Sequence, residues 1–478
     1  MLAKIDLPFT MTIGGRSVPG VERFGVINPA TASVFAQAPD CTREELDQAV
    51  AAARAAFPAW AATPLAERQA MILRVRDVMV ENQEEIARII VAEQGKPYAG
   101  GLGETASLVR WSEAVAAMAL DPVVVEDTAK ARIVAHRVPL GVVGAITPWN
   151  YPIVQAFWKI LPGLVAGNTI VLKPSPLTPL STLRAGELLS EILPPGVLNV
   201  ISGSDRLGPW LTEHPGIDKI SFTGSTATGR RVMASASATL KRLTLELGGN
   251  DPAIVLPDAD VGAIVEPLFR GAFRNAGQIC AATKRIYVHD SLYDAFRDAF
   301  AARVARAVVG PGDQQGVEIG PVQNRAQYER VLALIADCKT QGYSIVTGGE
   351  ALDGPGYFIS PAVIDNPPDT ARIVVEEQFG PVVPLMRYSD VDDAVRRAND
   401  TDYGLGGSIW SADPIKAAEI GARLDCGTVW VNTTQQLSPD APFGGHKQSG
   451  IGVENGLPGL HAYTQFQTLV MLKPGTPQ

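Results

Sequence analysis

Histidine and cysteine are scarce in this sequence, and their scarcity excludes two kinds of site. The 478 residues include five histidines and four cysteines. The histidines stand singly, without the close spacing of metal ligands, so no metal site is expected. The cysteines lie far apart and form no CxxC pair, so we expect free thiols rather than a disulfide framework. Free thiols favour a reducing compartment, and we expect a cytoplasmic protein.

Long apolar runs and clusters of positive charge are also absent. No run of about 18 apolar residues is available to cross a membrane, and the first residues lack the apolar core of a signal peptide. The net charge is -9 without any run of lysine or arginine. Neither nucleic acid nor a membrane is therefore expected as a partner. The hydrophobic fraction of 46% suits a globular enzyme with a large core.

Strand and helix patterns alternate after residue 140. Short β-branched runs such as GVVGAITP and NTIVLKP are separated by helix-like segments of roughly 15–20 residues. Continuously apolar strands predict parallel sheets covered on both faces. Before residue 140, Thr42 and Glu45 form the capping-box pattern that begins a helical region, and the segment from Leu65 to Gly95 predicts one further long helix. We therefore expect an α/β protein with two α/β units and a break near residue 248.

Two glycine-rich stretches are candidate nucleotide sites. GLGETA at 101–106 fits the GxGxxA pattern, but it follows a helix rather than a strand, so we reject it. FTGSTATG at 222–229 follows an apolar strand and precedes a helix. Gly224 and Ser225 would lie at the helix N-terminus, where free backbone N–H groups favour an anion. An ordinary strand-to-helix turn stays an alternative, because the spacing is not GxGxxG.

Three dispersed residues could form a catalytic site. Cys280 ends the run GAFRNAGQIC, whose small residues leave room for a ligand, although free cysteine is often simply buried. Glu246 lies in an apolar strand pattern, where a carboxylate is either an ion-pair partner or a perturbed acid or base. Asn150 lies between prolines and aromatics in TPWNYP, a rigid place for an amide that could stabilise an oxyanion. Taken singly, each residue has a structural alternative.

Seven motifs, taken together, are similar to those of a known family. In chain order they are PWNYP at 148–152, LKPSP at 172–176, FTGSTATG at 222–229, LELGGN at 245–250, GQIC at 277–280, EEQFGPV at 376–382 and PFGGHKQSG at 442–450. With these motifs the chain resembles the NAD(P)-dependent aldehyde dehydrogenase superfamily over essentially its whole length. Their common order and spacing favour Cys280 as a nucleophile over a buried structural thiol.

The resemblance implies a domain organisation and an assembly. The expected parts are a Rossmann-like NAD(P)-binding domain over 1–120 and 140–248, an α/β catalytic domain over 249–459, and a small β oligomerisation element over 121–139 and 460–478. The last two segments have the pattern of exposed strands that could pair with another chain. The resemblance implies a homodimer or a homotetramer.

The resemblance also implies a reaction. Cys280 would attack an aldehyde and form a thiohemiacetal, whose oxyanion the Asn150 amide and the Cys280 N–H would hold. Hydride would then pass to NAD or NADP, which supplies redox chemistry that no side chain can perform. Glu246 would activate water to hydrolyse the thioester and release the acid. Lys159 and Glu454 match family positions linked to proton transfer from this base.

Positions for the cofactor and the substrate follow from the same resemblance. The expected cofactor-binding residues are Ile146, Thr147, Pro148, Trp149, Lys173, Ser175, Gly203, Gly224, Ser225, Leu247, Glu377 and Phe379. The expected substrate-pocket residues are Tyr151, Gln155, Trp158, Arg274, Ile279, Ala281 and Leu437. Within the cofactor set, Lys173 would reach the adenine ribose, Gly224 and Ser225 the pyrophosphate, and Glu377 and Phe379 the nicotinamide ribose.

The sequence departs from the family pattern at three positions. NAD-preferring relatives carry glutamate three residues after the lysine of LKPSP, whereas this chain has Pro176, which would not repel a 2′-phosphate. We therefore expect NADP to be tolerated beside NAD. Trp158 replaces an arginine that is frequent in relatives acting on short carboxylate-bearing semialdehydes, which favours a medium-sized apolar or aromatic aldehyde. Arg274, where an aromatic is common, either faces solvent or a carboxylate, or selects a polar or anionic substrate tail.

The sequence leaves other functions to compare with an aldehyde dehydrogenase that releases the free acid. CoA-acylating relatives generally lack the base at the LELGG position, but Glu246 is present here. A non-enzymatic relative would be expected to lose Cys280, Asn150 or Glu246, and all three are present. A semialdehyde dehydrogenase that uses Arg274 for a polar or anionic substrate stays open as an alternative.

Overall fold

Two mainly parallel sheets, three small antiparallel sheets and surrounding helices make up the structure, a computed structural model that describes residues 8–474. The strands are β1 (Met11–Ile13), β2 (Arg16–Val18), β3 (Glu22–Asn28), β4 (Ser33–Asp40), β5 (Val123–Asp127), β6 (Ala131–Pro139), β7 (Val142–Ile146), β8 (Thr169–Lys173), β9 (Leu198–Val200), β10 (Lys219–Thr223), β11 (Arg242–Glu246), β12 (Asp251–Val255), β13 (Thr283–His289), β14 (Ser344–Thr347), β15 (Ala362–Asp365), β16 (Val382–Tyr388), β17 (Tyr403–Gly404), β18 (Gly406–Trp410), β19 (Thr428–Val431), β20 (His446–Lys447), β21 (Gly450–Ile451) and β22 (Thr464–Leu472).

The helices lie between these strands and cover their faces. They are α1 (Arg43–Ala62), α2 (Leu65–Glu81), α3 (Gln83–Gln94), α4 (Tyr98–Ala117), α5 (Pro152–Val165), α6 (Leu180–Ser190), α7 (Leu207–Glu213), α8 (Thr226–Ala236), α9 (Val261–Phe273), α10 (Asp290–Ala305), α11 (Arg325–Thr340), α12 (Arg372–Val375), α13 (Val391–Asn399), α14 (Pro414–Gly421) and α15 (Gly456–His461).

The first sheet has the strand order β2-β1-β9-β8-β7-β10-β11-β21. Its central strands β9, β8, β7, β10 and β11 are parallel. Every residue of β7, β8 and β10 is buried, as the continuously apolar sequence predicts. The chain runs outward from β7 to β9 and then returns to β10 on the other side. The topological switch point, where open α/β sheets bind ligands, therefore lies between β7 and β10.

The second sheet has the strand order β14-β15-β16-β13-β12-β18-β19 and is parallel except for β14. The chain passes from the first sheet to the second between β11 and β12, which is where the sequence predicts a break. The late strand β21 nevertheless returns to pair with β11 of the first sheet. The domain boundaries given above stay a prediction.

Helix ends in the first hundred residues follow local signals in the sequence. The Thr42 hydroxyl accepts the Glu45 N–H at 3.2 Å, and the Glu45 carboxylate accepts the Thr42 N–H at 2.8 Å, so the predicted capping box is confirmed. Gly95 ends α3 in the left-handed region with φ +94°. The single long helix expected before Gly95 is wrong. Asn82 divides it, because its ψ of 12° departs from the helix and its side chain bonds the Val78 carbonyl.

A three-stranded antiparallel sheet, β22-β6-β5, lies apart from the two large sheets. All of β5 and every residue of β22 after Thr464 are exposed. The exposed side chains include Val125, Phe466 and Leu472, each more than 60% accessible. Residues 1–7 and 475–478, which the sequence analysis assigned to the cofactor domain and the oligomerisation element, lie outside the described residues. Among residues 8–474, every helix is too short or too polar to cross a membrane.

Candidate active site

Cys280 follows a run of three residues in the left-handed region. Asn275, Ala276 and Gly277 have φ values of +53°, +55° and +71°. Residues with a side chain rarely adopt this conformation, so the turn is strained unless its surroundings hold it. A Cβ on Gly277 would lie 2.3 Å from the Gly380 carbonyl oxygen, which leaves space for glycine alone. The turn thus fixes the backbone directly before the half-buried Cys280.

Asn150 is the residue that holds this turn. Its carbonyl oxygen accepts hydrogen bonds from Lys96 Nζ at 2.9 Å and from Asn275 Nδ2 at 3.1 Å. Its side-chain Nδ2 donates to the Gln278 carbonyl at 2.9 Å. An amide nitrogen carries two hydrogens, so a second N–H stays available to a substrate oxygen. Among residues 8–474 the Cys280 N–H has no backbone acceptor, so it also stays available as a donor.

A cavity of about 610 Å³ opens onto Cys280 and Asn150. Its volume is typical of a small-molecule site. It is lined by every residue that the sequence analysis assigned to the substrate pocket, namely Tyr151, Gln155, Trp158, Arg274, Ile279, Ala281 and Leu437. Aromatic rings from other segments complete one wall. Trp111 stacks on Trp158 with centroids 5.7 Å apart, and Phe443 meets Trp158 edge to face at 5.9 Å.

The charged residues at this cavity differ in how far they are neutralised. Lys96 and Glu104 form a buried ion pair with 2.5 Å between Nζ and Oε2, and Lys96 Nζ lies 3.6 Å from the centre of the Tyr151 ring. Glu104 also accepts the Ile153 N–H at 2.8 Å, at the start of α5. Arg274 is exposed at the cavity and forms neither a hydrogen bond nor an ion pair within the described residues. The rim therefore carries an uncompensated positive charge.

Several cavity residues were missed by sequence reasoning. Glu104 and Trp111 lie within α4, Lys96 lies just before it, and Phe443 lies in the PFGGHKQSG motif without a role assigned to it. The rejected GLGETA stretch lies inside α4, which agrees with its rejection as a nucleotide motif, yet its Glu104 faces the cavity. No local signal marks these residues, because the face of α4 that lines the cavity is decided by packing against α2, α3 and α5.

Glu246 is an enclosed carboxyl at the end of β11. It is 4% exposed, and neither of its carboxyl oxygens has a hydrogen-bond partner in the described part of the chain. Burial raises the pKa of Glu246 well above its ordinary value, the nearby charge of Glu454 raises it further, and Lys159 acts in the opposite direction. The surroundings therefore stabilise the protonated carboxyl relative to the carboxylate, a perturbation that also occurs in carboxyls acting as acids or bases.

Lys159 and Glu454 form a buried ion pair beside Glu246. The distance between Nζ and Oε1 is 2.7 Å, and both side chains are at most 1% exposed. Lys159 also donates to Thr223 Oγ1 at 2.8 Å, and Ser221 Oγ donates to Glu454 at 3.2 Å. The second oxygen of Glu454, Oε2, has no partner among the residues described. The structure thus brings together the residues predicted to handle the proton.

The thiol of Cys280 is uncharged in its resting environment. Burial raises its pKa to about 12. Lys284 lowers the pKa, whereas Asp251, Glu246 and Glu377 raise it. The thiolate is the reactive form of a cysteine, so Cys280 could act as a nucleophile only after losing its proton to a base.

The predicted cofactor residues follow the carboxyl ends of the parallel strands. Lys173 ends β8 and Ile146 ends β7. Gly203, Gly224 and Leu247 follow the ends of β9, β10 and β11. They border the switch point between β7 and β10, where a dinucleotide binds in folds of this kind. After β10, Ser225 caps α8 by accepting the Thr228 N–H.

Polar groups at this edge fit a ligand with hydroxyl and phosphate groups. Thr147 Oγ1 is buried and has no partner among residues 8–474. The buried ammonium of Lys173 donates to the Pro174 carbonyl at 3.3 Å but forms no ion pair within the described residues, and burial lowers its pKa to about 8. A buried cation without a counterion costs free energy, which an anionic or hydroxyl-bearing ligand would offset. The residues present thus fit NAD(P).

The other predicted cofactor residues lie nearby in the fold. Trp149 and Phe379 meet edge to face with their ring centres 5.2 Å apart. Glu377 Oε1 accepts the Gly249 N–H at 3.0 Å, so the EEQFGPV and LELGGN motifs are joined directly. Ser175 is buried and its hydroxyl accepts the Leu177 N–H at 3.3 Å. Pro148 and Pro176 are half-buried.

Comparison with known proteins gives the class of this site. The model of the Aldehyde dehydrogenase family matches residues 17–469. The chain is 38% identical to phenylacetaldehyde dehydrogenase from Pseudomonas fluorescens, over 98% of this chain and 96% of that protein. The NAD+ complex of an aldehyde dehydrogenase from Bacillus cereus superposes with a TM-score of 0.96 at 36% identity, covering 98% of this chain and 97% of that one. Betaine aldehyde dehydrogenase from Staphylococcus aureus, also in complex with NAD+, gives 0.95 at 33% identity, with 99% and 96% covered.

The chain belongs to the aldehyde dehydrogenase family. It is an oxidoreductase that oxidises an aldehyde with NAD(P). The predicted family, α/β fold and use of NAD(P) are thereby confirmed. The roles of individual site residues stay predictions.

Gly277→Ala tests whether the strained turn positions Cys280, the predicted nucleophile. The added Cβ would lie 2.3 Å from the Gly380 oxygen. The turn must then shift, and a displacement near 1 Å should lower kcat by about 10²-fold. The measurement is kcat with phenylacetaldehyde and NAD+, with Tm recorded on the same samples.

Gly316→Ala is the matched control for this prediction. Gly316 also has a positive φ, +82°, but nothing lies within 4 Å of an added Cβ. This variant should lose about 1–3 kcal/mol of stability to strain and keep its kcat. A wild-type kcat in Gly277→Ala would contradict the positioning role of the turn.

Proposed function

We propose that this chain oxidises a medium-sized aldehyde with an apolar or aromatic body to the free carboxylic acid. The observation that carries this proposal is the cavity at Cys280, whose wall is built from the rings of Trp111, Trp158 and Phe443. Aromatic side chains of this kind favour an apolar or aromatic ligand. The buried charge of Lys96 is already paired with Glu104, so it does not require an anionic substrate. Similarity to a phenylacetaldehyde dehydrogenase supports the same substrate class.

A second candidate is an aldehyde with a polar or anionic tail. The observation that favours it is the exposed guanidinium of Arg274 at the cavity, which has no partner within the described residues. A tail long enough to extend from Cys280 to this position would meet that charge. In this case Arg274 would act at the entrance, while the aromatic wall would hold the body of the substrate.

Cys280 is the proposed nucleophile of the first step. As its thiol loses a proton to a base, the sulfur attacks the aldehyde carbon and a thiohemiacetal forms. The negative charge that develops on the former carbonyl oxygen is held by the second N–H of Asn150 Nδ2 and by the Cys280 N–H. Both donors are fixed before the substrate arrives. Donors preorganised in this way stabilise the charge of the transition state without having to reorient during the reaction.

Hydrolysis of the acyl-enzyme is assigned to Glu246. Bound NAD(P)+ supplies the two-electron oxidation, which leaves the acyl group on Cys280 as a thioester. Deprotonated Glu246 takes a proton from water while the water oxygen attacks the thioester carbon, and the Cys280 sulfur leaves as the acid forms. Glu454 Oε2, which lacks a partner among the residues described, can accept the proton next, with Lys159 holding the other oxygen.

Most of the residues proposed to hold the cofactor follow the strand ends of the first sheet, whereas Glu377 and Phe379 precede β16 of the second. Lys173 and Ser175 are assigned to the adenine ribose, Gly224 and Ser225 to the pyrophosphate, and Glu377 and Phe379 to the nicotinamide ribose. Along the remaining length we assign Ile146, Thr147, Pro148, Trp149, Gly203 and Leu247. The unpartnered hydroxyl of Thr147 and the buried ammonium of Lys173 support this assignment.

We propose a homodimer or homotetramer in the cytoplasm. The exposed apolar side chains of the β22-β6-β5 sheet support assembly through this element, because a monomer rarely leaves so many apolar residues of one sheet in water. The four cysteines are all free thiols, which supports a reducing compartment.

Glu246→Gln should separate oxidation from hydrolysis. The amide cannot activate water, so one equivalent of NAD(P)H should form per site and turnover should then slow by about 10²–10⁴-fold. Since burial raises the pKa of Glu246, the wild-type hydrolysis rate should increase with pH as this carboxyl loses its proton. Stopped-flow absorbance at 340 nm measures both phases.

Glu419→Gln, at an exposed glutamate, is the control and should behave as wild type. Full steady-state turnover by Glu246→Gln would assign the base to another residue.

NADP should be accepted as a cofactor beside NAD. Pro176 offers no carboxylate to repel a 2′-phosphate, while Lys173 and Ser175 are in place to contact it. The ratio of kcat/KM for the two cofactors measures this directly, and Pro176→Glu should shift the ratio towards NAD. A wild-type preference for NAD above about a thousandfold, roughly 4 kcal/mol, would overturn the expectation.

Arg274→Ala distinguishes the two substrate candidates. With benzaldehyde and 4-carboxybenzaldehyde as a matched pair, a selective Arg274 predicts a fall in kcat/KM of about two- to fivefold for the acid alone, the range of one exposed ion pair. Arg270→Ala is the control, because Arg270 is 73% exposed and pairs with Glu266. Equal losses on both aldehydes would rule out selection by Arg274.

A further inference from the structure

A β-bulge next to the active site carries a buried lysine. Strands β12 and β13 pair Asp251 with Thr283, but the next pair joins Pro252 to Arg285, so Lys284 is the extra residue. Bulges re-aim side chains, are uncommon in parallel pairs, and occur often beside active sites. Lys284 is 2% exposed, and the sequence analysis gave it no role. A buried ammonium in this place calls for a physical explanation.

The ammonium of Lys284 lies between the nucleophile and a predicted cofactor residue. Its Nζ donates to the carbonyl oxygens of Ile279 at 2.9 Å and Cys280 at 2.5 Å. The Glu377 carboxylate lies 3.5 Å away. One buried cation therefore joins the backbone of the nucleophile to Glu377, which itself accepts the Gly249 N–H.

Asp251 is a buried acid on the opposing strand. It is 3% exposed, and burial raises its pKa to about 7, with Lys284 and the Gly406 N–H acting in the opposite direction. Neither oxygen has a partner with hydrogen-bond geometry among residues 8–474. A Cβ added to Gly249 would lie 2.6 Å from the Cys280 oxygen and 2.9 Å from Asp251 Oδ1. The Asp251 carboxyl and the Cys280 carbonyl therefore lie against the same glycine.

We propose that Lys284 is a positioning residue for the reaction: its ammonium fixes the Cys280 backbone against Glu377 and supplies the positive charge that favours the thiolate, while Asp251 opposes that charge. The proposal rests on Cys280 being the nucleophile. The proposal also explains the bulge. Without the extra residue, the side chain at this position would follow the ordinary alternation of side chains along β13.

The charges around the Cys280 thiol determine whether each substitution should make the thiol easier or harder to ionise. Four titratable groups from four segments act on Cys280: Lys284 favours the thiolate, and Asp251, Glu246 and Glu377 disfavour it. Loss of Lys284 leaves acids alone around the sulfur, so the thiol should become harder to ionise. Replacement of Asp251 by its amide removes an opposing charge, so the thiol should become easier to ionise. The two substitutions are thus expected to act in opposite directions.

The test measures Cys280 alkylation by iodoacetamide in the cofactor-free enzyme. Peptide mass spectrometry follows the Cys280 peptide between about pH 7 and 9, where the rate reports the thiolate fraction. Lys284→Met should slow alkylation by about tenfold or more at fixed pH, the effect of one pKa unit. Lys284→Arg should restore the rate, and Asp251→Asn should exceed it. Lys339→Met removes an exposed lysine paired with Glu350 and should leave the rate unchanged.

A wild-type alkylation rate in a folded Lys284→Met variant, with unchanged Tm, would overturn the proposal. If that variant fails to fold, Asp251→Asn decides: a faster rate supports the proposal, and an equal or slower rate overturns it. A slowing in Lys284→Arg equal to that in Lys284→Met would also overturn it, because the charge would then be irrelevant. The assay uses neither aldehyde nor NAD(P), so its failure is distinct from failure of the proposed function, which aldehyde oxidation by Cys280→Ser would reveal.

Discussion

The hydrogen bonds that meet at Asn150 are the constraint on which the site depends. The Asn150 carbonyl oxygen is bonded by Lys96 and Asn275, and its side chain bonds the Gln278 carbonyl. Asn150 follows a strand of the first sheet, whereas the turn before Cys280 belongs to elements of the second. These bonds therefore set the distance between the proposed oxyanion donor and the proposed nucleophile. They also hold three consecutive residues in a conformation that would otherwise relax.

Burial of ionisable groups is the second feature of the site, and it opposes stability. Glu246 and Asp251 have raised pKa values because they are enclosed, and the pair Lys159–Glu454 lies wholly out of water. Such groups cost desolvation energy that their partners only partly offset. In the proposed mechanism the same burial makes Glu246 a stronger base than an exposed carboxylate and makes ionisation of the Cys280 thiol depend on nearby charges. Burial of these groups thus accounts both for the proposed reactivity and for the cost in folding stability.

Much of this fold could be predicted from the sequence, and the remainder could not for identifiable reasons. Continuously apolar runs predict the buried parallel strands, and the ordered motifs identify Cys280, Glu246 and Asn150 as candidates. Lys96, Glu104 and Trp111 escape prediction, because they come from the region of a helix whose cavity-facing side is decided only by packing. Lys284 escapes it because a bulge, which depends on the pairing of two strands, determines where its side chain points. The division of the early helical region at Asn82 was missed because no proline or glycine marks it.

The central claim is that the acyl group is carried on Cys280, and identification of the acyl-enzyme tests it most directly. The enzyme is mixed with phenylacetaldehyde and NAD+, quenched in acid within the first turnover, and analysed by peptide mass spectrometry. The account predicts the phenylacetyl mass on the Cys280 peptide, with Cys41, Cys338 and Cys426 unmodified. An acyl group on any other residue, or undiminished aldehyde oxidation by Cys280→Ser, would contradict it.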